Sequence, residues 1–340
     1  MSEATGIRES RLGRSDVRVS ELSFGGAGIG NLMAPVGDDE AEATVEAAWE
    51  AGIRSFDTAP HYGLGLSERR LGAALRGRPR EQFTVSTKVG RLLEPAPDGV
   101  GDDLANGFAV PADQRRVWDF SADGVRRSLE ASLTRLGLDR VDIVYLHDPD
   151  DHADQALEQA YPALEQLRDE GVVGAIGVGM NQTALPTRFV RDTDVDVVLL
   201  AGRYTLLDQS ALSEFLPEAE HRRTAVVTGG VFNSGLLADP RNCPSYDYGP
   251  ASAELLQRAL RLEEVCERHG VPLRAAAARF PLGHPAVTGI LVGVRSRDQI
   301  LDAVDQYRRP LPDALWTDLR ESGLLGAAVP VPVSVPKGDG

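Results

Sequence analysis

Residues 54–88, RSFDTAPHYGLGLSERRLGAALRGRPREQFTVSTK, read as one strand–helix–strand unit. Arg54 to Phe56 is a strand ending in Asp57, Ser67 caps a helix through Leu75, and Phe83 to Val85 is a second strand leading into Thr87 and Lys88. The alternation extends in both directions. Upstream, Leu12 to Val19 forms a short capping hairpin that turns at Arg14, Ser15 and Asp16, and Leu22 to Gly25 is a brief strand. Ala41, Val45, Ala48 and Trp49 then fall at helical spacing behind the cap candidates Asp38 and Asp39. Downstream, Ser121 opens a helix with the stripe Val125, Leu129, Leu133 and Leu136, and a strand from Val141 to Leu146 follows. Further strands are predicted from Val172 to Val178, Val195 to Leu200, Ala225 to Val227 and Val287 to Leu291. Helices between and after them are marked by Leu157, Tyr161, Leu164 and Leu167, by Leu185 to Arg191, by Gln209 to Ala219, by Leu255, Ala259, Leu262 and Cys266, and by Ile300, Val304 and Tyr307. A small helix, Pro312 to Gly323, comes last.

Eight apolar strands, seven of them separated from the next by a helical segment, predict an α/β fold: a closed (β/α)8 TIM barrel. No shift in composition marks a boundary, so residues 1–340 read as a single domain with its core at 12–322 and a tail at 327–340. An open doubly wound sheet is the competing arrangement. Two stretches break the rhythm. Residues 91–119 and 232–252 are rich in Gly, Pro and polar residues and read as long loops at the C-terminal face, where function concentrates. The glycines of FGGAGIGNL at 24–32 are spaced G-x-G-x-G rather than G-x-G-x-x-G, which favours a tight strand-end turn, or backbone close to a ligand or another strand, over a dinucleotide-binding loop. The tail AAVPVPVSVPKGDG alternates Val with Pro and cannot pair as an interior strand, so it is extended, docked or frayed.

With 42% hydrophobic and 26% charged residues, the chain has the composition of a soluble globular protein. A net charge of −15 disfavours nucleic acid and anionic membrane as partners and leaves small molecules. The two cysteines, Cys243 and Cys266, have no metal spacing and fit inert thiols in a reducing cytoplasm. The polar start MSEATGIRES is no signal peptide, and no apolar run reaches the about 18 residues that span a membrane, so a cytoplasmic location is expected. Asp148, Asp150, Asp151 and His152 read as a solvated loop rather than a metal site. No oligomeric state is implied.

In such a barrel the active site lies at the C-terminal ends of the strands. There stand Asp57, with Tyr62 in its loop, then Lys88, then His147, from three successive strands. Each alone has an ordinary reading: a turn residue, a half-buried aromatic, a solvated lysine, a core histidine. Together they make an acid/base site. A phenol with a pKa of about 10 is a poor base at neutral pH unless a cation favours tyrosinate. Lys88 supplies the cation, Asp57 keeps it charged, and His147 orients a substrate oxygen. Tyr62 then moves a proton on or off a C–O centre, half of an alcohol/carbonyl interconversion whose other half needs a hydride carrier.

FDTAPHYGLGLSERRLG (56–72), STKVGR (86–91), YLHDPDDH (145–152) and GVGMN (177–181) closely resemble the aldo-keto reductase superfamily, and the resemblance runs from about Leu12 to Tyr307. It implies a (β/α)8 barrel that uses NAD(P)(H) without metal, with Asp57, Tyr62, Lys88 and His147 as catalytic tetrad. AIGVGMNQ (175–182) and VVTGGVFNSGLL (226–237) look like the branch containing L-fucose dehydrogenase, D-threo-aldose 1-dehydrogenase and pyridoxal 4-dehydrogenase. That likeness implies oxidation of the C1 hydroxyl of a sugar such as L-fucose or a D-threo-aldose to a lactone. An NADPH-dependent aldehyde/ketone reductase, a pyridoxal dehydrogenase and a non-catalytic nucleotide-sensing subunit are the alternatives.

The family's Ser-Asn after strand five is here Gly179, Met180 and Asn181, with Asn181 as nicotinamide or substrate contact. Ala201 and Gly229 stand where the family has a glutamine and a stacking aromatic, and Phe232 or Tyr204 is left to supply an aromatic face. GVRSRDQILDAVD (293–305) resembles the adenosine-phosphate loop, with Gly293, Val294, Arg295, Ser296, Arg297 and Gln299 as cofactor contacts. The loss of the family's positive charges at Gly293 and Gln299 favours NAD over NADP.

Overall fold

The computed structural model describes residues 6–96 and 101–333. Residues 1–5 of the polar N-terminus, 97–100 of the first long loop and 334–340 of the tail lie outside the described residues.

Eight parallel strands close a barrel, which excludes the open sheet. They are β1 (Leu22–Gly25), β2 (Ser55–Asp57), β3 (Thr84–Val89), β4 (Ile143–His147), β5 (Ala175–Met180), β6 (Val197–Ala201), β7 (Ala225–Gly229) and β8 (Val287–Gly293). Each pairs with the next in the chain, and β8 pairs with β1. The strands are apolar on both faces because both are covered. Ile143, Tyr145, Val197, Leu199, Ala225 and Val227 pack inside the barrel, while Val144, Leu146, Val198, Leu200 and Val226 pack under the helices.

The helices are α1 (Asp38–Glu50), α2 (Leu66–Leu75), α3 (Ala122–Leu136), α4 (Tyr161–Asp169), α5 (Ala184–Asp192), α6 (Phe215–Arg222), α7 (Ala253–Arg268), α8 (Leu273–Arg279), α9 (Arg297–Arg308) and α10 (Asp313–Glu321). None is long and apolar enough to cross a membrane among the described residues. Two expected caps differ. Gly37, not Asp38 or Asp39, precedes α1, and the two aspartates sit in its first turn, where the helix dipole favours acids. Gly65, not Ser67, precedes α2. Helix α8 was not expected, because LRAAAAR is only seven residues long, too short to repeat an apolar stripe.

The N-terminal hairpin pairs Glu9–Arg11 with Arg18–Ser20 and drives Leu12 and Val19 into the barrel interior, closing the end opposite the predicted site. The described residues of the 91–119 stretch form an antiparallel arm rather than an irregular loop. Arg91–Pro95 pairs with Gln114–Trp118, and Asp102–Asp103 pairs with Phe108–Pro111. Phe108 and Val110 bury with Leu64 against Tyr62, which seats the arm over the C-terminal rim. The 232–252 segment likewise carries a small hairpin, Ser245–Tyr246 with Gly249–Pro250. The described tail docks: Val329 is buried, and a Cβ on Gly283 would lie 2.4 Å from the carbonyl carbon of Val331.

Candidate active site

Register sets the rim. Asp57 pairs with Gly25 and Ser86, and Lys88 with Tyr145. Lys88 Nζ donates to Asp57 Oδ2 at 2.6 Å and to Thr58 O at 3.0 Å, and Ser86 Oγ donates to Asp57 Oδ1 at 2.7 Å. Asp57 is 3% and Lys88 2% exposed, so each charge has only the other and these hydrogen bonds to replace water. Burial acts to lower the Lys88 pKa, but Asp57 and Tyr62 outweigh it and hold it above the ordinary lysine range. Lys88 is therefore an ammonium at neutral pH.

Tyr62 places its ring centroid 4.6 Å from that ammonium. Burial pushes its pKa up, Lys88 pulls it down and Asp57 pushes it up again, for a result of about 12. The expected influence of Lys88 is present, yet burial exceeds it, so Tyr62 carries its proton at neutral pH. Polar anchors fix the loop that presents it. Ser67 Oγ donates to Gly26 O at 2.7 Å and shares a 2.8 Å hydrogen bond with Thr58 Oγ1, which is why this serine is not a cap. Glu68 is fully buried, accepts from Thr87 Oγ1 at 2.8 Å and pairs with Arg135 of α3. Gly63 has φ +60°, and a Cβ there would stand 2.2 Å from Gly30 O. A Cβ on Gly28 would stand 2.1 Å from Val294 O, so the GGAGIG glycines serve backbone contacts with the neighbouring loops.

His147 ends β4 with its ring centroid 5.8 Å from that of Tyr62. It is 6% exposed, and its Nδ1 has no hydrogen-bond partner among the described residues. Burial, then Arg91 and Lys88, hold its pKa well below the ordinary histidine value, so the ring is neutral. Asp148 lies 3.7 Å from His147 Nε2 but is committed to Arg91, and Asp150 accepts from Gln182 Nε2 at 3.0 Å. Among the described residues no group of three or more His, Cys, Asp or Glu is placed to hold a metal.

Several residues of the site escaped the sequence reading. His61 lies 5.6 Å from His147 and 5.1 Å from Phe108, ring centroid to centroid. Arg116 donates from Nε to His61 Nδ1 and from Nη2 to His61 O at 2.9 Å, and it forms a two-pronged pair with Asp103 at 2.8 and 2.6 Å. Arg91 and Arg116 both lie in the arm, whose polar, glycine-rich composition gave no sign that it folds back over the rim. Only the adjacency of His61 to Tyr62 offered a signal.

The predicted cofactor residues lie on the same rim. Asn181 follows β5; its carbonyl accepts from Arg203 Nε at 2.7 Å, and its side chain makes no hydrogen bond among the described residues. Gly293 ends β8, is exposed, and has open space where a Cβ would be. Val294 is buried, while the side chains of Arg295 and Arg297 have no partner among the described residues. Ser296 caps α9 by accepting from Gln299 N at 3.3 Å. Gln299 Oε1 accepts from Arg295 N at 2.9 Å and Glu40 Oε1 from Arg297 N at 3.0 Å, so two backbone donors are already engaged. An open glycine beside two unpaired guanidiniums fits an anionic dinucleotide. Tyr204 has no face for it, since it is fully buried against Phe280 and His284; Phe232 is half-buried against the core.

The chain matches the model of the Aldo/keto reductase family over residues 21–323. It is 49% identical over 312 residues to D-threo-aldose 1-dehydrogenase of a Pseudomonas species, covering 90% of this chain and 95% of that one. It is 43% identical over 334 residues to pyridoxal 4-dehydrogenase of Microbacterium luteolum, covering 92% and 97%. The solved glycerol dehydrogenase of Gluconobacter oxydans superposes with a TM-score of 0.75 at 26% identity, covering 96% of this chain and 97% of that one. With a closed eight-stranded barrel and this family's model matched along most of its length, the chain belongs to the aldo/keto reductase family.

Proposed function

We propose that this NAD(P)-dependent oxidoreductase is an aldose dehydrogenase that oxidises the C1 hydroxyl of a sugar to the lactone. The observation that carries the reading is the 49% identity to D-threo-aldose 1-dehydrogenase along almost the whole of both chains. The geometry supports it. His147, held neutral, stands with its ring centroid 5.8 Å from that of Tyr62 and is suited to donate a hydrogen bond to the substrate oxygen from its protonated ring nitrogen. Tyr62 first gives its own proton to bulk water, and the resulting tyrosinate, stabilised by the Lys88 that Asp57 keeps charged, takes the hydroxyl proton as the C–O bond gains its double-bond character. A bound nicotinamide coenzyme supplies the hydride acceptor for C1. Asn181 is suited to its carboxamide, and Gly293, Val294, Arg295, Ser296, Arg297 and Gln299 to the adenosine-phosphate end.

NAD is the favoured coenzyme. The Glu40 carboxylate occupies the Arg297 amide at the start of α9, and a 2′-phosphate brought there meets a like charge and must displace it. The test is reduced-nicotinamide absorbance with L-fucose and with pyridoxal, each with NAD+ and with NADP+. Turnover of L-fucose with NAD+ is expected. Turnover of pyridoxal alone reassigns the substrate, and no turnover of L-fucose or of a panel of D-threo-aldoses with either coenzyme refutes the reading.

A further inference from the structure

Tyr62, which takes the proton of the reacting hydroxyl, and His147, which donates to its oxygen, suffice for the oxygen on the reacting carbon, and that leaves His61 without a task. Its setting is more than packing requires. Arg116 binds it through Nδ1 and through its carbonyl oxygen, and Arg116 is itself fixed by Asp103 in a pair whose side chains are only 11% and 5% exposed. Because Nδ1 accepts from a guanidinium that never gives up its proton, the ring hydrogen is on Nε2. Burial, then Arg91, Arg116 and Lys88, push the His61 pKa down to about 2, so this neutral tautomer persists at every working pH. No acceptor meets Nε2 among the described residues. The ring centroid stands 6.1 Å from that of Tyr62 and 5.6 Å from that of His147, which places His61 as a second donor beside the reacting groups.

We propose that His61 is a specificity-determining residue whose Nε2–H binds the hydroxyl on the carbon next to the reacting one. The reacting oxygen gives its proton to Tyr62 and accepts from His147, so a second donor in contact with substrate needs a different oxygen. A polyhydroxylated aldose offers one; an analogue without that hydroxyl leaves the donor unpaired, which lowers its transition-state binding. The proposal rests on the aldose reading above. Arg116 and Asp103 act as positioning residues, since they hold the tautomer without touching substrate.

The experiment compares kcat/KM for L-fucose and 2-deoxy-L-fucose with saturating NAD+ in the wild type, His61→Phe, His61→Gln and Arg116→Met, with thermal denaturation confirming the fold of each. The wild type is expected to prefer L-fucose by about ten- to a hundredfold. His61→Phe should bring that ratio to within about threefold of unity, and His61→Gln, which retains an N–H, should regain part of it. Arg116→Met keeps the imidazole but frees its tautomer, so an intermediate ratio is expected even if His61→Phe does not fold. A wild-type ratio retained in both His61→Phe and Arg116→Met overturns the role of His61 while the aldose reading stands. A wild type that oxidises neither sugar overturns the aldose reading and this proposal with it.

Discussion

Replacing Asp57 with Asn changes a charge and little else, because the amide keeps the shape of the side chain and an oxygen able to accept from Ser86 Oγ. The consequence falls on Lys88. Its Nζ has Asp57 Oδ2 at 2.6 Å and Thr58 O at 3.0 Å, and the side chain is 2% exposed, so water cannot replace the lost carboxylate. Removing one partner of such a pair costs about 3–5 kcal/mol if the remaining ion keeps its charge. Alternatively, desolvation discharges Lys88, and Tyr62 then loses the cation that draws its pKa downward. Either way catalysis suffers, since general acid/base assistance contributes about 10²–10⁴-fold. The assay is steady-state oxidation of L-fucose with NAD+, together with thermal denaturation. A fall of two or more orders of magnitude in kcat is expected, about 10² at the least, with a Tm lower by several degrees. Because Lys88 has a raised folded pKa, the pair's stabilising contribution is fully present below the ordinary lysine pKa and is lost only as pH rises through the raised value. Where Lys88 keeps its charge in Asp57→Asn, the Tm deficit should therefore be constant from pH 6 to about pH 9; where desolvation discharges it, the deficit should shrink as pH rises toward the ordinary lysine pKa. Wild-type kcat and Tm in Asp57→Asn would refute the ion-pair argument.

Three other outcomes follow from the same geometry. With the Tyr62 pKa pushed up to about 12, sugar oxidation should speed up as pH rises above neutrality, and neither His61 nor His147 should produce an acidic limb near their ordinary value; a rate that is flat above pH 7, or one that titrates near about 6.5, contradicts this. Glu40→Gln removes the carboxylate from the Arg297 amide, so the kcat/KM ratio of NADP+ to NAD+ should rise by about tenfold; an unchanged ratio removes Glu40 from coenzyme choice. Gly28→Ala forces a methyl to within 2.1 Å of Val294 O, which is backbone and cannot swing away, so denaturation should show a loss of about 1–3 kcal/mol or more; wild-type stability would mean the two loops part without cost.

The barrel was legible because each strand is apolar on both faces and each helix on one, so the repeat survives errors of a residue or two at every boundary. The strand ends were legible for the same reason. Once Phe56, Thr87 and Leu146 are taken as strand, Asp57, Lys88 and His147 must face the rim. What escaped was tertiary in origin. Ser67 has the residue type and position of a cap, yet Gly26 O competes for its hydroxyl across the fold. The described part of the 91–119 arm is built from short antiparallel pairs whose Pro, Gly and Asp content matches irregular loops, and Phe108 finds its partners only when Leu64 and Tyr62 are already placed. His61 could not be weighed without Arg116, which lies 55 residues away in the chain. The opposing pulls on Tyr62 were foreseeable in kind, but their balance depends on how deeply the loop is buried.

The central claim is that Tyr62 carries the proton while a nicotinamide coenzyme takes the hydride. Its most direct test is kcat for L-fucose oxidation by Tyr62→Phe, alongside NAD+ and NADH affinity measured by tryptophan fluorescence. The account predicts that kcat falls by at least about 10²-fold while both affinities stay within about threefold of wild type. Sugar turnover at a wild-type rate by Tyr62→Phe would contradict it.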